Sequence, residues 1–266
     1  MGDSAPLLLV IDAGNTNTTL GLYQGASLRA LWRLTTRIAQ TADECGLTIH
    51  NLFAQKKLSA ASLDAIMISS VVPPLNPVLA EAAVKYFSIE PAFLGPGTRT
   101  GMAILVDNPQ EVGADRIANS VAGFEKYGGP CIVVDFGTAI TFDAISKKGE
   151  YLGGVIMPGI GIAAEALFHR TAKLPRVEIR EPERVIGTNT ITNIQAGLFY
   201  GAVDALDGML GRMLAVLGER TKIVATGGQA PLVAAASRYH PPIDPSLTLD
   251  GLRIIYERVR AAARQR

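Results

Sequence analysis

Apolar residues in this chain fall into short blocks separated by turn residues, and the blocks alternate between strand-like and helix-like spacing. Leu7–Ile11 is an unbroken apolar run that ends in Asp-Ala-Gly-Asn, which reads as a buried strand entering a turn. Thr18–Tyr23 and Leu28–Leu34 follow on either side of Gln24-Gly25 and predict a meander. Ala42, Cys45, Ile49 and Phe53 recur at helical spacing, so Ala42–Phe53 is expected to be a helix. Ala65–Val72 is a second buried strand, stopped by Pro73-Pro74. Asn76-Pro77 then opens a helix carrying Leu79, Ala83 and Phe87 on one face, with Asn76 expected at the N-cap and Pro77 at the first position.

The same grammar restarts at Cys131. Cys131–Val134 runs into Asp-Phe-Gly-Thr much as Leu7–Ile11 runs into Asp-Ala-Gly-Asn. Thr141–Ile145 and Tyr151–Met157 are further strands around a turn at Lys148-Gly149. Asn193–Leu217 is a long amphipathic helix, apolar at Ile194, Leu198, Ala202, Leu206, Met209, Met213 and Leu217 and stopped by Gly218. Ile223–Ala225 is a strand that enters Thr226-Gly227-Gly228. Strands alternating with helices in both halves predict an α/β protein, divided at 1–117 and 118–266.

The remaining global features narrow the class. At 266 residues the chain can bury a large core. A 48% hydrophobic content and a mean hydropathy of +0.24 exclude a disordered chain. Lys and Arg number 25 against 24 Asp and Glu, so the net charge is +1, which argues against a basic nucleic-acid clamp. Cys45 and Cys131 form no CxxC or Cys/His cluster, and His50, His169 and His240 are scattered. The apolar run at the N-terminus is too short for a signal core or a membrane span, so a cytoplasmic protein with no membrane partner is expected.

Four short segments carry candidate chemistry. Asp12-Ala13-Gly14-Asn15-Thr16-Asn17-Thr18-Thr19 sets a carboxylate at a strand end, a Gly that lets backbone approach, and then amides and hydroxyls. That composition suits phosphate and Mg²⁺; an Asx turn in a hairpin is the bland alternative. Asp135-Phe136-Gly137-Thr138-Ala139 repeats it, and two such loops fit a nucleotide held by both halves. Thr226-Gly227-Gly228 would let a flat ring lie on backbone, or simply make a tight turn. Gly113-Ala114-Asp115-Arg116 precedes an apolar helix over Ile117–Phe124. Asp115 there is either a general base, with Arg116 gripping a carboxylate, or an acid that favours the helix dipole. Gly159-Ile160-Gly161-Ile162-Ala163-Ala164 fits GxGxxA, but no acid stands at the right place for a dinucleotide, and no GxxxxGK[ST] occurs.

In this order the loops resemble the actin-like kinase superfamily and, more narrowly, the type III pantothenate kinases. The resemblance is carried by Asp12–Thr19, Ile68–Pro73, Asn108-Pro109 with Gly113–Arg116, Asp135–Ala139, Gly153–Gly159 and Gly187-Thr188-Asn189-Thr190, and spans nearly the whole chain. It implies two duplicated RNase-H-like domains with a nucleotide cleft between them, and a homodimer that phosphorylates pantothenate with Mg²⁺–ATP. By the same resemblance, Asp12, Ala13, Gly14, Asn15, Thr16, Asn17, Thr18, Thr19 and Thr138 contact ATP. Asp135 holds a monovalent cation, K⁺ or NH₄⁺. Gly113, Ala114, Asp115, Arg116 and Thr190 contact pantothenate, with Asp115 as the base. Where many members have Tyr two residues before Asn-Pro, this chain has Val106. Two other readings compete: a non-enzymatic transcription accessory protein of the same fold, and an actin-like kinase with another acceptor.

Overall fold

The computed structural model describes residues 5–264. Contacts divide the chain into two compact units. The first comprises Met1–Met102, Asp107–Ala122 and Leu247–Arg266, and the second Ala103–Val106 and Gly123–Ser246.

The first unit is built on a five-stranded sheet. Its strands are β1 (Leu7–Ala13), β2 (Asn17–Gln24), β3 (Ser27–Thr35), β4 (Ala65–Ser70) and β5 (Ala92–Phe93), in the spatial order β3-β2-β1-β4-β5. β1 runs antiparallel to β2 and parallel to β4. One face is covered by α1 (Ala42–Gln55) and α2 (Asn76–Phe87). Their apolar positions meet Leu9, Ile11, Leu20, Ile66 and Ile68 in one continuous core. Phe53 is fully buried there, stacked on Trp32 at 5.8 Å and tilted on Phe87 at 5.9 Å. α1 begins where expected because Thr41 and Glu44 form a reciprocal capping box. α2 departs from the expectation: Asn76 lies inside the helix, because a 3₁₀ turn over Pro73–Leu75 leads straight into it.

The other face of this sheet is covered by α7 (Leu247–Arg264), an element the sequence pattern did not predict. Gly21 on β2 makes the approach possible, since a Cβ there would meet Leu249 Cδ1 at 3.0 Å and Val10 Cγ2 at 3.1 Å. Leu247, Leu252 and Ile255 are wholly buried, which ties the end of the chain to the first unit. Tyr23 donates a hydrogen bond to Asp250 at 2.7 Å, and Thr248 donates to Asn119 at 2.7 Å.

The second unit repeats the strand plan with one strand fewer. β6 (Cys131–Phe136), β7 (Ala139–Ile145), β8 (Tyr151–Pro158) and β9 (Lys222–Thr226) take the order β8-β7-β6-β9. β6 is antiparallel to β7 and parallel to β9, as β1 is to β2 and β4. α4 (Ile160–Arg170) and the long α5 (Thr190–Leu217) pack on this sheet, with α6 (Ala230–Val233) completing the core. α5 starts three residues before the predicted Asn193, because Asn189 caps it through Thr192. α3 (Ala114–Tyr127) carries the chain from the first unit into the second. The two cysteines are buried and unpaired, and burial pushes the Cys45 thiol up to about 11 and that of Cys131 to about 12. Among the described residues no helix is long and apolar enough to cross a membrane.

Candidate active site

Asp12 is the penultimate residue of β1 and half-buried. It pairs with Thr19 on β2 and with Ser69 on β4. The chain then turns sharply: the Gly14 N–H donates to Asn17 O at 3.0 Å, and a Cβ at Gly14 would lie only 3.0 Å from that oxygen. Thr36 braces the turn from the end of β3. Its Oγ1 donates to Gly14 O at 2.6 Å, and its N–H donates to Thr16 O at 3.0 Å. Because the Thr36 hydroxyl proton is used this way, Thr18 is the donor in the 2.9 Å contact between the two hydroxyls. Ala13 is buried, and its carbonyl accepts the Val71 N–H at 3.1 Å. Of the predicted loop, Asn15, Thr16 and Asn17 are exposed, Gly14 and Thr19 are half-buried, and Ala13 and Thr18 are buried.

Asp115 stands in the first turn of α3. The helix opens with the Ile117 N–H donating to Gly113 O at 3.1 Å. Asn108 fixes the approach by capping the 3₁₀ turn Pro109–Glu111 through the Gln110 N–H. Asp115 Oδ1 curls back to accept the Arg116 N–H at 2.8 Å, and so lies only 2.5 Å from where a Cβ on Gly113 would be. Glycine at 113 is therefore required to seat this carboxylate. Burial raises the Asp115 pKa above the usual carboxylate value, and the Arg116 N–H and positive charge pull back only part of that rise. The same Val71 that bonds Ala13 packs toward Gly113, 3.7 Å from its would-be Cβ. The Asp12 turn and the Asp115 turn thus lie near the end of the first unit's sheet where the central strands β1 and β4 finish.

In the second unit Asp135 repeats the position of Asp12, one residue before the end of β6, paired with Thr141 on β7 and Thr226 on β9. The Gly137 N–H donates to Ala139 O at 3.0 Å, which makes a tighter turn than the first. Thr138 is exposed, and its carbonyl accepts the Gly159 N–H ahead of α4 at 3.1 Å. Gly227 follows β9 with φ +94°, and a Cβ there would lie 2.5 Å from Asp135 Oδ1. Only glycine serves at that position, for backbone and for space. Thr190 is exposed on the first turn of α5. It lines an open groove of about 560 Å³ between α4 and α5 with Ala163, Leu167, Leu174, Asn193 and Ile194. Asp135 and Thr138 do not line that groove. Val106 packs beside Gly153 of β8, 3.7 Å from its would-be Cβ.

The donor set limits what ion could be held. Among the described residues no group of three or more His, Cys, Asp or Glu could enclose a metal. Single carboxylates at strand ends do fit an ion that arrives with nucleotide phosphates and keeps several waters. Ser69 and Val71 adjoin the Asp12 turn, and their only signal in the sequence is membership of the Ile68–Pro73 segment.

The sequence model of type III pantothenate kinase matches residues 8–212. The chain belongs to the type III pantothenate kinase family. It is 53% identical over 270 residues to the type III pantothenate kinase of Koribacter versatilis, covering 98% of each chain. It is 52% identical to that of Solibacter usitatus, covering 97% of this chain and 99% of the other. Among solved structures it resembles component A of the (R)-2-hydroxyglutaryl-CoA dehydratase of Acidaminococcus fermentans, with TM-score 0.59, 13% identity, and 97% and 100% coverage. At that identity the likeness speaks for the fold alone: two duplicated α/β units of the actin-like ATPase type.

Proposed function

We propose that this member of the family transfers the γ-phosphoryl group of ATP to the primary hydroxyl of pantothenate, giving 4′-phosphopantothenate, the first step of coenzyme A biosynthesis. The observation that carries the reading is a family match over residues 8–212, with relatives aligned over nearly the whole chain, in which Gly113-Ala114-Asp115-Arg116 opens a helix with its carboxylate partly stripped of water. Such a carboxylate is a stronger base than one in bulk water. Asp115 orients the pantothenate hydroxyl and takes its proton as the new P–O bond forms and the bond to ADP breaks. Arg116 meets the pantothenate carboxylate as a two-pronged donor. Asp12–Thr19 and Thr138 contact ATP, and Gly113, Ala114 and Thr190 complete the acceptor site.

Asp12 would hold Mg²⁺ with the nucleotide, and Asp135 would hold K⁺ or NH₄⁺. When bound, these ions neutralise charge on the phosphates, a task that no lysine in either loop performs. The rest of catalysis is positioning. A homodimer is supported by apolar side chains left exposed on one unit: Leu152 and Ile156 on the edge strand β8, and Ile162 and Leu167 on α4. A cytoplasmic location suits a kinase that draws on ATP. The test is turnover of ATP with pantothenate, with and without potassium, alongside light scattering for subunit number. No phosphorylated product, or equal activity on unrelated alcohols, would overturn the assignment.

A further inference from the structure

Ser69 is fully buried, and its hydroxyl has no hydrogen-bond partner. The residues before it on β4, Ala65 to Ile68, are all apolar and buried. An unpaired buried hydroxyl is a standing cost that alanine at the same position would avoid. The serine nevertheless sits in parallel register with Asp12. Adjacent strands lie about 4.8 Å apart, and strand alternation puts both side chains on the face away from Ile11 and Ile68, which fill the core with α1 and α2. The second unit repeats the pairing: Thr226, only 2% exposed, stands in parallel register with Asp135. A hydroxyl beside the strand-end aspartate therefore occurs in both sheets.

We propose that Ser69 is a positioning residue for Asp12, its hydroxyl donating a hydrogen bond to one carboxylate oxygen when Asp12 engages the metal–nucleotide and so fixing which oxygen faces the ligand. A serine side chain reaches a new staggered position by one bond rotation, and a hydrogen bond to an ionised acceptor is about twice as strong as a neutral one. The hydroxyl, without a partner within the fold itself, gains one when Asp12 engages the metal–nucleotide. This inference rests on the reading of Asp12 as the carboxylate of the Mg–ATP site.

The experiment compares Ser69→Ala, the near-isosteric Ser69→Cys, the hydroxyl-retaining Ser69→Thr, and Asp12→Asn. Ligand-free melting and Mg–ATP affinity by calorimetry are measured on each, with KM for both substrates. Ser69→Ala and Ser69→Cys are expected to weaken Mg–ATP about tenfold and to leave the pantothenate KM within about twofold. The ligand-free Tm of Ser69→Ala should hold or rise by about 2–4 °C. Ser69→Thr should bind Mg–ATP within about threefold of the parent. Unchanged Mg–ATP affinity in Ser69→Ala, with Asp12→Asn weakened, overturns the role of Ser69 alone. A clear fall in ligand-free Tm in Ser69→Ala also overturns it, because the hydroxyl would then be serving the empty fold. Unchanged affinity in Asp12→Asn overturns the reading of Asp12 and this proposal with it.

Discussion

Asp115 Oδ1 accepts the backbone N–H of the next residue, Arg116, at 2.8 Å, in the space left by the missing side chain of Gly113. The bond holds the carboxylate at the start of α3 while burial raises its pKa. Those two facts separate its contribution to folding from its contribution to chemistry.

Asp115→Asn is expected to lower turnover by at least ~10²-fold, the usual worth of a general base. Stability should not fall at neutral pH. A carboxyl whose folded pKa is raised favours the folded state below the unfolded pKa and loses that contribution as pH rises through the folded value. At pH 7 the ionised Asp115 is therefore a cost that Asn removes. Thermal melting at pH 7 should show a Tm equal to or above that of the parent. The parent's kcat/KM should fall on the acid side with an apparent pKa above the ordinary carboxylate range. Turnover within a few-fold of the parent would remove Asp115 from the role.

Asp12→Asn keeps the size of the side chain and removes its charge. Because the charge of a bound cation dominates a phosphate site, Mg–ATP affinity should weaken by tenfold or more. The pantothenate KM should change by less than about threefold. Calorimetry with Mg–ATP, paired with pantothenate saturation curves, distinguishes the two. Equal losses for both substrates would point to a collapsed turn at Gly14 instead.

Most of the sheet plan was legible because each strand is a short apolar block bounded by Gly, Pro or Asn, and Asp12 and Asp135 stood out by their matching surroundings. Register was not legible. That Ser69 and Thr226 flank the two aspartates depends on which residue of a parallel neighbour lies opposite, and one sequence does not encode that locally. The return of α7 to the first unit was missed for a related reason. Its buried leucines alternate with Asp250, Arg253, Glu257 and Arg258 around a central Gly251, which reads as a weak helix. The glycine makes sense only beside α3, where a Cβ at 251 would lie 2.5 Å from the carbonyl carbon of Ala118. Asn76 was expected as a cap from its Asn-Pro pattern, but the preceding Pro73-Pro74-Leu75 had already begun to coil.

The second unit contains a carboxylate whose effect on stability has the opposite sign. Asp244 is nearly buried and pairs with Lys126 Nζ at 2.5 Å. It also accepts the Tyr127 hydroxyl at 3.1 Å and the Ser246 N–H at 3.2 Å. Burial alone would raise its pKa, but Lys126, Tyr127 and Ser246 together outweigh burial and lower it. A depressed carboxylate contributes stability above its unfolded pKa and loses it as pH falls through the folded value. Lys126→Met should cost about 1–2 kcal/mol at pH 7, after allowing for the solvent screening of a lysine that is 35% exposed. Urea unfolding at pH 7 and near pH 3 provides the check. The gap between variant and parent should shrink at the lower pH, and a constant gap would mean that the lysine acts through packing.

The last prediction concerns Asp135 and a monovalent ion. Asp135 is half-buried at the end of β6, and among the described residues no group of three or more His, Cys, Asp or Glu forms a metal cage. Gly227 crowds its Oδ1 and allows no side chain between them. A carboxylate at a strand end suits one positive charge held loosely, and cavity size then selects among ions. Neither the Asp12 turn nor the Asp135 turn contains a lysine, so such an ion would supply positive charge there. Activity should therefore rise with potassium or ammonium, and sodium should substitute poorly. Asp135→Ala should abolish the potassium response together with most of the activity. Gly227→Ala, which pushes against the same oxygen, should raise the potassium concentration needed for half-maximal rate. Initial rates are measured against potassium at constant ionic strength, so that general screening stays fixed. Full activity in sodium alone, with no rise on adding potassium, would remove the cation from Asp135 and leave the phosphoryl transfer to pantothenate standing.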